Sequence, residues 1–385
     1  MKRTLCLLLS FCLLFITAAP TSAHYKRWTV SVHASPSSAF VSTLTIESKD
    51  NLAKHILKAH RLKSSLQPEL PRATIQIDNR TFVFDSYSHL FEPAAHSLIG
   101  LSQSQTSSLE EYVRIAEKAH YGQPLHWQDV RQTFKRYGYA TVVDLETGKQ
   151  FRVQRRAGSQ HADVQPLTKE DTQIMKEIYQ GEWSWKRRAI LVYSEGKTFA
   201  ASMHGMPHGK GAIAGNNFNG HFCIHFTGSS THKRPIPDPS HSMMILKAAG
   251  KLKHTLIHAK PAELVQYFLT AMHEQDYETL AMTMDGATLP FAKERILYVK
   301  PSKQAQQEGV VDLVTAVIPM EVELIEKGDK RRKHSTWVFF LKRNSPFDRW
   351  KIAGLTRDGD RDQNDSDTDD DEADVDSSDS ASDDS

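Results

Sequence analysis

Cysteine is scarce in this chain. There are three in 385 residues. Cys6 and Cys12 lie in an N-terminal segment that reads as a cleavable export signal. Only Cys223 is left for the mature protein. A lone thiol excludes an intramolecular disulfide framework, so a packed core must hold the fold. Cys223 is then either a buried bystander or a reactive group. Long apolar runs are lacking as well. Leu5 to Ile16 is too short to span a bilayer comfortably, and no other run is long enough, so no membrane span is expected after signal cleavage. There is no internal repeat and no His-Glu-x-x-His zinc pattern. The Asp-rich C-terminus lacks the spaced Gly and closing Glu of an EF-hand loop.

What is present begins with the signal itself, residues 1–23. Lys2 and Arg3 form its charged start, and Thr21-Ser22-Ala23 after Pro20 is a small-residue cleavage site. Phe11 before Cys12 is too large for a lipoprotein site, so no lipid anchor is expected. An uncleaved anchor is the competing reading. The signal implies a secreted or cell-wall-associated protein.

The formal net charge is only +2, but it is unevenly spread. Asp358 to Ser385 holds 14 acidic residues and one Arg, a net of −13, which leaves +15 on everything before it. Such a block buries no apolar surface and is expected to be a disordered acidic tail. A basic body outside the cell suits polyanionic surroundings such as anionic wall polymers. No recognition motif supports nucleic acid as a partner.

About 330 residues between signal and tail exceed one core and imply a multidomain chain, mostly β and α+β. Residues 24–135 read as an α/β scaffold region. Strands are expected at Trp28 and Phe40, a hairpin at Thr74–Phe84 turning at Asn79, and helices opening at Ser108 and running from Trp127 to Tyr137. Residues 136–250 read as a β-rich domain with strands at Tyr139, Phe151, Arg188 and Thr198 and a helix from Asp171 to Tyr179. Residues 260–356 give two helices and then long strands, an α+β layout. That order resembles the nuclear-transport-factor-2-like and ketosteroid-isomerase-like domains, which implies a cone-shaped α+β fold.

Histidine is dense between His161 and His241. Read as a strand, Gly220-His221-Phe222-Cys223-Ile224-His225-Phe226 places His221, Cys223 and His225 on one face and Phe222, Ile224 and Phe226 in a core. A histidine beside a thiol can take its proton, and the thiolate can attack an amide carbonyl. Backbone amides around the nucleophile are the simplest oxyanion donors. His161 with Asp163, and Asp238 with His241, pair an imidazole with a carboxylate at short spacing, which would orient the ring or complete a metal site. His221, Cys223 or His225 with His161, Asp163 or His208 would also suit zinc.

His204-Gly205, a loop, and then Gly220-His221-Phe222-Cys223-Ile224-His225 resemble the L,D-transpeptidase catalytic domain. The resemblance implies a cysteine acyltransferase acting on the stem peptides of peptidoglycan, with no cofactor. Cys223 would be the nucleophile, His204 its base and His221 a supporting histidine. Phe222 and Cys223 would offer the oxyanion amides, and His208-Gly209 is the alternative partner of Cys223. Gly220 stands where that family has Ser or Thr, Phe222 where it has Gly, and His225 where it has Arg or Asn. Two alternatives stand beside this reading: a zinc-dependent peptidoglycan peptidase built from the His/Cys/Asp cluster, and a catalytically inactive cell-wall-binding protein.

Overall fold

The computed structural model describes residues 27–47, 51–211, 213–230, 236–302 and 309–357. The export signal and the acidic tail read from the sequence lie outside the described residues. Among those residues no helix is long and apolar enough to cross a membrane. The chain is a multidomain protein of mixed α/β sheets.

Alternating apolar residues build the first sheet. Its strands are β1 (Arg27–His33), β2 (Val41–Glu47), β3 (His60–Lys63), β4 (Ala73–Ile77), β5 (Arg80–Phe84), β6 (Leu90–Glu92) and β7 (Ser97–Gly100). They lie in the order β2-β1-β4-β5-β6-β7-β3. The β4–β5 hairpin turns at Asp78 and Asn79, with Asp78 at φ 55°. Helices α1 (Leu52–Lys58) and α2 (Gln103–His120) bring Ile56, Leu109 and Val113 into the core formed by Trp28, Val30, Ile75 and Phe82. Helix α2 starts five residues before the expected Ser108. Ser102 is its cap, and Ser102 and Gln105 form a reciprocal capping box. Helix α3 (Trp127–Thr133) ends before the expected Tyr137, which sits at φ 66° and cannot continue a helix.

A closed six-stranded barrel follows. Its strands are β8 (Tyr139–Asp144), β9 (Gln150–Ala157), β10 (Ala162–Pro166), β11 (Arg187–Ser194), β12 (Lys197–His204) and β13 (Phe222–His225). They close in the order β10-β13-β12-β11-β8-β9. Helix α4 (Lys169–Ile178) has a Thr168/Asp171 capping box. The barrel is filled by Val142, Phe151, Val164, Phe199, Met203, Phe222 and Ile224. Period-two alternation therefore sends Asp163, Ser202, His204, Cys223 and His225 to the outer face.

That outer face is covered. Helix α5 (Pro239–Ala248), capped by Asp238, packs across β11 and β12, and α6 (Leu252–His258) follows. Next come α7 (Pro261–Glu274), α8 (Tyr277–Thr283), β14 (Ile296–Pro301), β15 (Val310–Val311), β16 (Thr315–Glu326), β17 (Lys333–Lys342) and β18 (Lys351–Arg357). The last sheet runs β14-β16-β17-β18, with β15 on β16. One apolar cluster contains Leu191 and Ala200 of the barrel, Met244 of α5, Phe268 of α7 and Trp337 and Phe339 of the final sheet. Barrel and C-terminal sheet thus share a core through α5 and α7.

Candidate functional site

The site forms where β10, β13 and the end of β12 meet the loop 205–221 on the barrel's outer face. Asp163 and Cys223 are register partners on neighbouring antiparallel strands, so their side chains emerge side by side. Cys223 Sγ lies 3.9 Å from Asp163 Oδ1. The loop then folds back over them. His208 and His221 exchange backbone hydrogen bonds of 3.0 and 2.8 Å. Gln165 on β10 donates to the Gly220 carbonyl at 2.7 Å and accepts from the Ile213 N–H at 3.2 Å. Asn216 donates to the Pro166 carbonyl at 2.8 Å. These buried amides fix where the loop histidines point.

His208 Nε2 lies 3.4 Å from Cys223 Sγ. His161 Nε2 lies 3.0 Å from Asp163 Oδ1, and His221 Nε2 lies 4.0 Å from the same oxygen. His225 points the same way but is walled in. Its ring stacks on His241 at 3.7 Å and on His161 at 4.7 Å between centroids. His204 lies behind His208, with ring centroids 5.2 Å apart. The structure thus makes His208 the hydrogen-bond partner of the thiol, with His204 one layer further back. His204, His208 and Cys223 offer ligand atoms all within 4.8 Å of one another, and so do His161, Asp163 and Cys223. A buried cysteine ringed by histidines and an aspartate is a cluster capable of catalysis or of metal binding.

Hydrogen-bond partners settle the tautomers, because a carbonyl oxygen only accepts. His208 Nδ1 faces the Met206 carbonyl at 3.1 Å, His161 Nδ1 the Ser230 carbonyl at 2.9 Å, and His221 Nδ1 the Lys210 carbonyl at 3.2 Å. Each Nδ1 therefore carries hydrogen, and each ring turns its Nε2 toward Cys223 or Asp163. His204 is reversed. Its Nδ1 accepts the Met206 N–H at 3.3 Å, so its hydrogen is on Nε2.

Burial dominates the electrostatics. Cys223 is 6 % exposed. Burial pushes its thiol well above the ordinary range, and the Asp163 carboxylate pushes the same way. Burial lowers His208, against the pull of the Met206 carbonyl. Burial holds His204 and His241 well below their usual value; the charge of Arg187 adds to this at His204, and His225 adds most at His241. At rest, burial favours a protonated thiol at Cys223 and neutral rings at His204 and His208.

Two expectations need correction. The reading without a cofactor does not survive the geometry, because both three-residue groups have the spacing of metal ligands. Asp238 does not orient His241: its carboxylate accepts the His241 backbone N–H at 3.0 Å as a helix cap, while the ring bonds Ser202 Oγ at 2.9 Å. Phe222 lies inside the barrel as part of its core. Gly205 is pressed against Tyr179, where a Cβ would come within 2.4 Å of the ring.

Sequence reasoning missed Gln165 and Trp185. His161, Asp163 and Gln165 alternate along β10, which was the available signal for one strand face. Trp185 is 49 % exposed and sits 4.7 Å from the His204 ring and 5.4 Å from that of His208. It forms the rim of the site. Compared with family models, curated proteins and solved structures, the chain matches none.

Proposed function

We propose that the cluster holds a zinc-type divalent ion and that the protein is a metal-dependent hydrolase of amide bonds. The single observation carrying this reading is the orientation of His161, His208 and His221. Each ring donates Nδ1–H to a backbone carbonyl and presents Nε2 to Cys223 or Asp163. Histidines that ligate metals are fixed in this way by the groups behind them. Distances support it. Two zinc ligands at nitrogen and thiolate bond lengths sit roughly 3.5 Å apart in tetrahedral geometry, and His208 Nε2 to Cys223 Sγ is 3.4 Å.

Charge supports it as well. A thiolate nucleophile needs a positive neighbour, but burial keeps His208 neutral and Asp163 is anionic. A divalent ion reverses each of these costs: it favours thiolate, carboxylate and neutral imidazole together, and their two negative charges balance it. In this proposal Cys223 and Asp163 are the anionic ligands, one of His208 and His161 is the neutral third, and the fourth position is left for water. The ion would polarise the scissile carbonyl and activate water. His221, 18 % exposed at its side chain, faces the open side and moves the proton. His204 Nε2–H is a donor toward the developing oxyanion. Trp185 is the platform at the rim. The proposed substrate is the peptide crosslink of peptidoglycan outside the cytoplasm, which rests on the spacing of His204-Gly205 and Cys223.

The hydrogen bond from Cys223 to His208 favours a second reading, the L,D-transpeptidase-like cysteine acyltransferase. One experiment separates the two. Purified protein is assayed for metal content and for cleavage of muropeptides with and without phenanthroline, then with zinc restored. Zinc uptake with chelator-sensitive cleavage supports the hydrolase. Chelator-resistant turnover with a carbapenem adduct on Cys223 defeats it in favour of the acyltransferase.

A further inference from the structure

A second feature lies on the other side of β10. Arg131, Lys135, Arg136 and Arg155 line a groove of about 480 Å³ with no carboxylate in its wall. Arg156 borders it. Among the described residues none of these five cations pairs with an acid, whereas Arg72, Arg80, Arg188 and Arg349 all do. Arg155 is 5 % exposed, and its N–H groups go to the carbonyls of Phe134, Ala157 and Gly158. It is a buried positive charge held in place by neutral groups. Burial and the charge of Arg131 both disfavour its cationic form.

Arg136 and Arg156 each lie 5.0 Å from the Tyr137 ring centroid, and Arg155 lies 4.5 Å from that of Trp127. The stacking helps to fix these guanidinium groups. The groove is much larger than one carboxylate. Several guanidinium groups approaching from different directions suit a tetrahedral oxyanion better than a planar one, which a single fork saturates. No aromatic side chain lines the groove, so its wall offers no surface for a base to stack on.

We propose that this groove binds phosphate groups of a phosphodiester polymer that lacks bases. The proposal stands on the groove and does not depend on the metal reading. The test is calorimetric titration of the whole protein with inorganic tripolyphosphate and a glycerol-phosphate oligomer. Poly-glutamate and single-stranded DNA of matched charge are the comparison arms. The double variant Arg131→Gln/Arg136→Gln alters two side chains whose hydrogen bonds among the described residues go to Gln128 and the Arg156 carbonyl. Phosphate binding that weakens at least about tenfold in this variant, with zinc content and unfolding midpoint unchanged, supports the proposal. Equal affinity in the variant overturns it. So does poly-glutamate or DNA binding as tightly as the glycerol-phosphate oligomer.

Discussion

Replacing Gly220 with alanine should damage the site. Gly220 adopts φ +118°, and a Cβ there would lie 2.5 Å from the His208 carbonyl oxygen. Both faults fall on one structural joint, the paired backbone bonds between His208 and His221. Backbone strain of this sort costs roughly 1–3 kcal/mol. The clash is with backbone, so no side-chain end can swing away. The loop must lift, which withdraws His208 Nε2 from its 3.4 Å contact with Cys223. Misplacing a group that orients a ligand typically costs about 10–100-fold in metal affinity. Gly215→Ala is the control: its φ is +76°, with nothing within 4 Å of the added carbon. It should lose about 1 kcal/mol and no metal affinity. Zinc competition against a chromogenic chelator and urea unfolding read both quantities. Gly220→Ser, which installs the residue of the L,D-transpeptidase motif, should fail in the same way as alanine. If Gly220→Ala matches Gly215→Ala in both measurements, the account of the joint is wrong.

Three further outcomes are expected. Cys223→Ser should keep the fold but bind zinc at least about tenfold more weakly, measured by elemental analysis and chelator competition; undiminished zinc would remove Cys223 from the ligand set. His120 is fully buried and its pKa falls from 6.5 to about 4, so between those values the unfolded chain is protonated and the folded one is not. Its contribution is therefore complete above the unfolded value and shrinks as pH falls, by about 2 kcal/mol from pH 7 to pH 5; His120→Gln should show that much less acid sensitivity in urea titrations, and an identical pH dependence would refute this. Lys247, 6 % exposed, sits 2.7 Å from Glu146 and 2.9 Å from Asp276; Lys247→Met should cost about 3 kcal/mol by leaving the largely buried Asp276 carboxylate without its cation, a loss that thermal unfolding would reveal or exclude.

How much of this was legible depended on whether burial followed a pattern. The strand over Phe222–His225 was readable because Phe222, Ile224 and Phe226 alternate with polar residues, and the structure puts the apolar set inside the barrel. The imidazole on the thiol was not placed by that alternation: His208 comes from the loop and stood only as the alternative to His204. Strand β10 was missed although its polar and apolar residues alternate: all five are buried, so its polar face is covered and is not the solvent face that alternation usually marks. That concealed the supporting role of Gln165 and the pairing of Asp163 with Cys223. Helix α5 was hidden differently. Asp238-Pro239 is a helix start, but a carboxylate near His241 also reads as a chemical pair. Position 220 was legible only as a departure from a motif. Its reason is a backbone angle that a side chain strains, which no spacing rule reveals.

The C-terminal sheet, silent in the sequence, gains a role from the way the histidines stack. Asp163 meets the His161 ring, whose face rests on His225, whose other contact is His241 at an interplanar angle of 4°. His241 belongs to α5 and is bonded to Ser202 of the barrel. Helix α5 is clamped in turn by Lys247, which joins Glu146 of the barrel to Asp276 ahead of α8. It is also set in the apolar cluster that runs to Trp337 and Phe339. Buried rings in such a stack cannot shift singly without opening a void. The position of His161 is therefore tied to the seating of α5, and that to the C-terminal sheet. A barrel cut off after β13 would keep Cys223 and His208 but lose the wall behind His161, so the C-terminal unit is part of the site's scaffold.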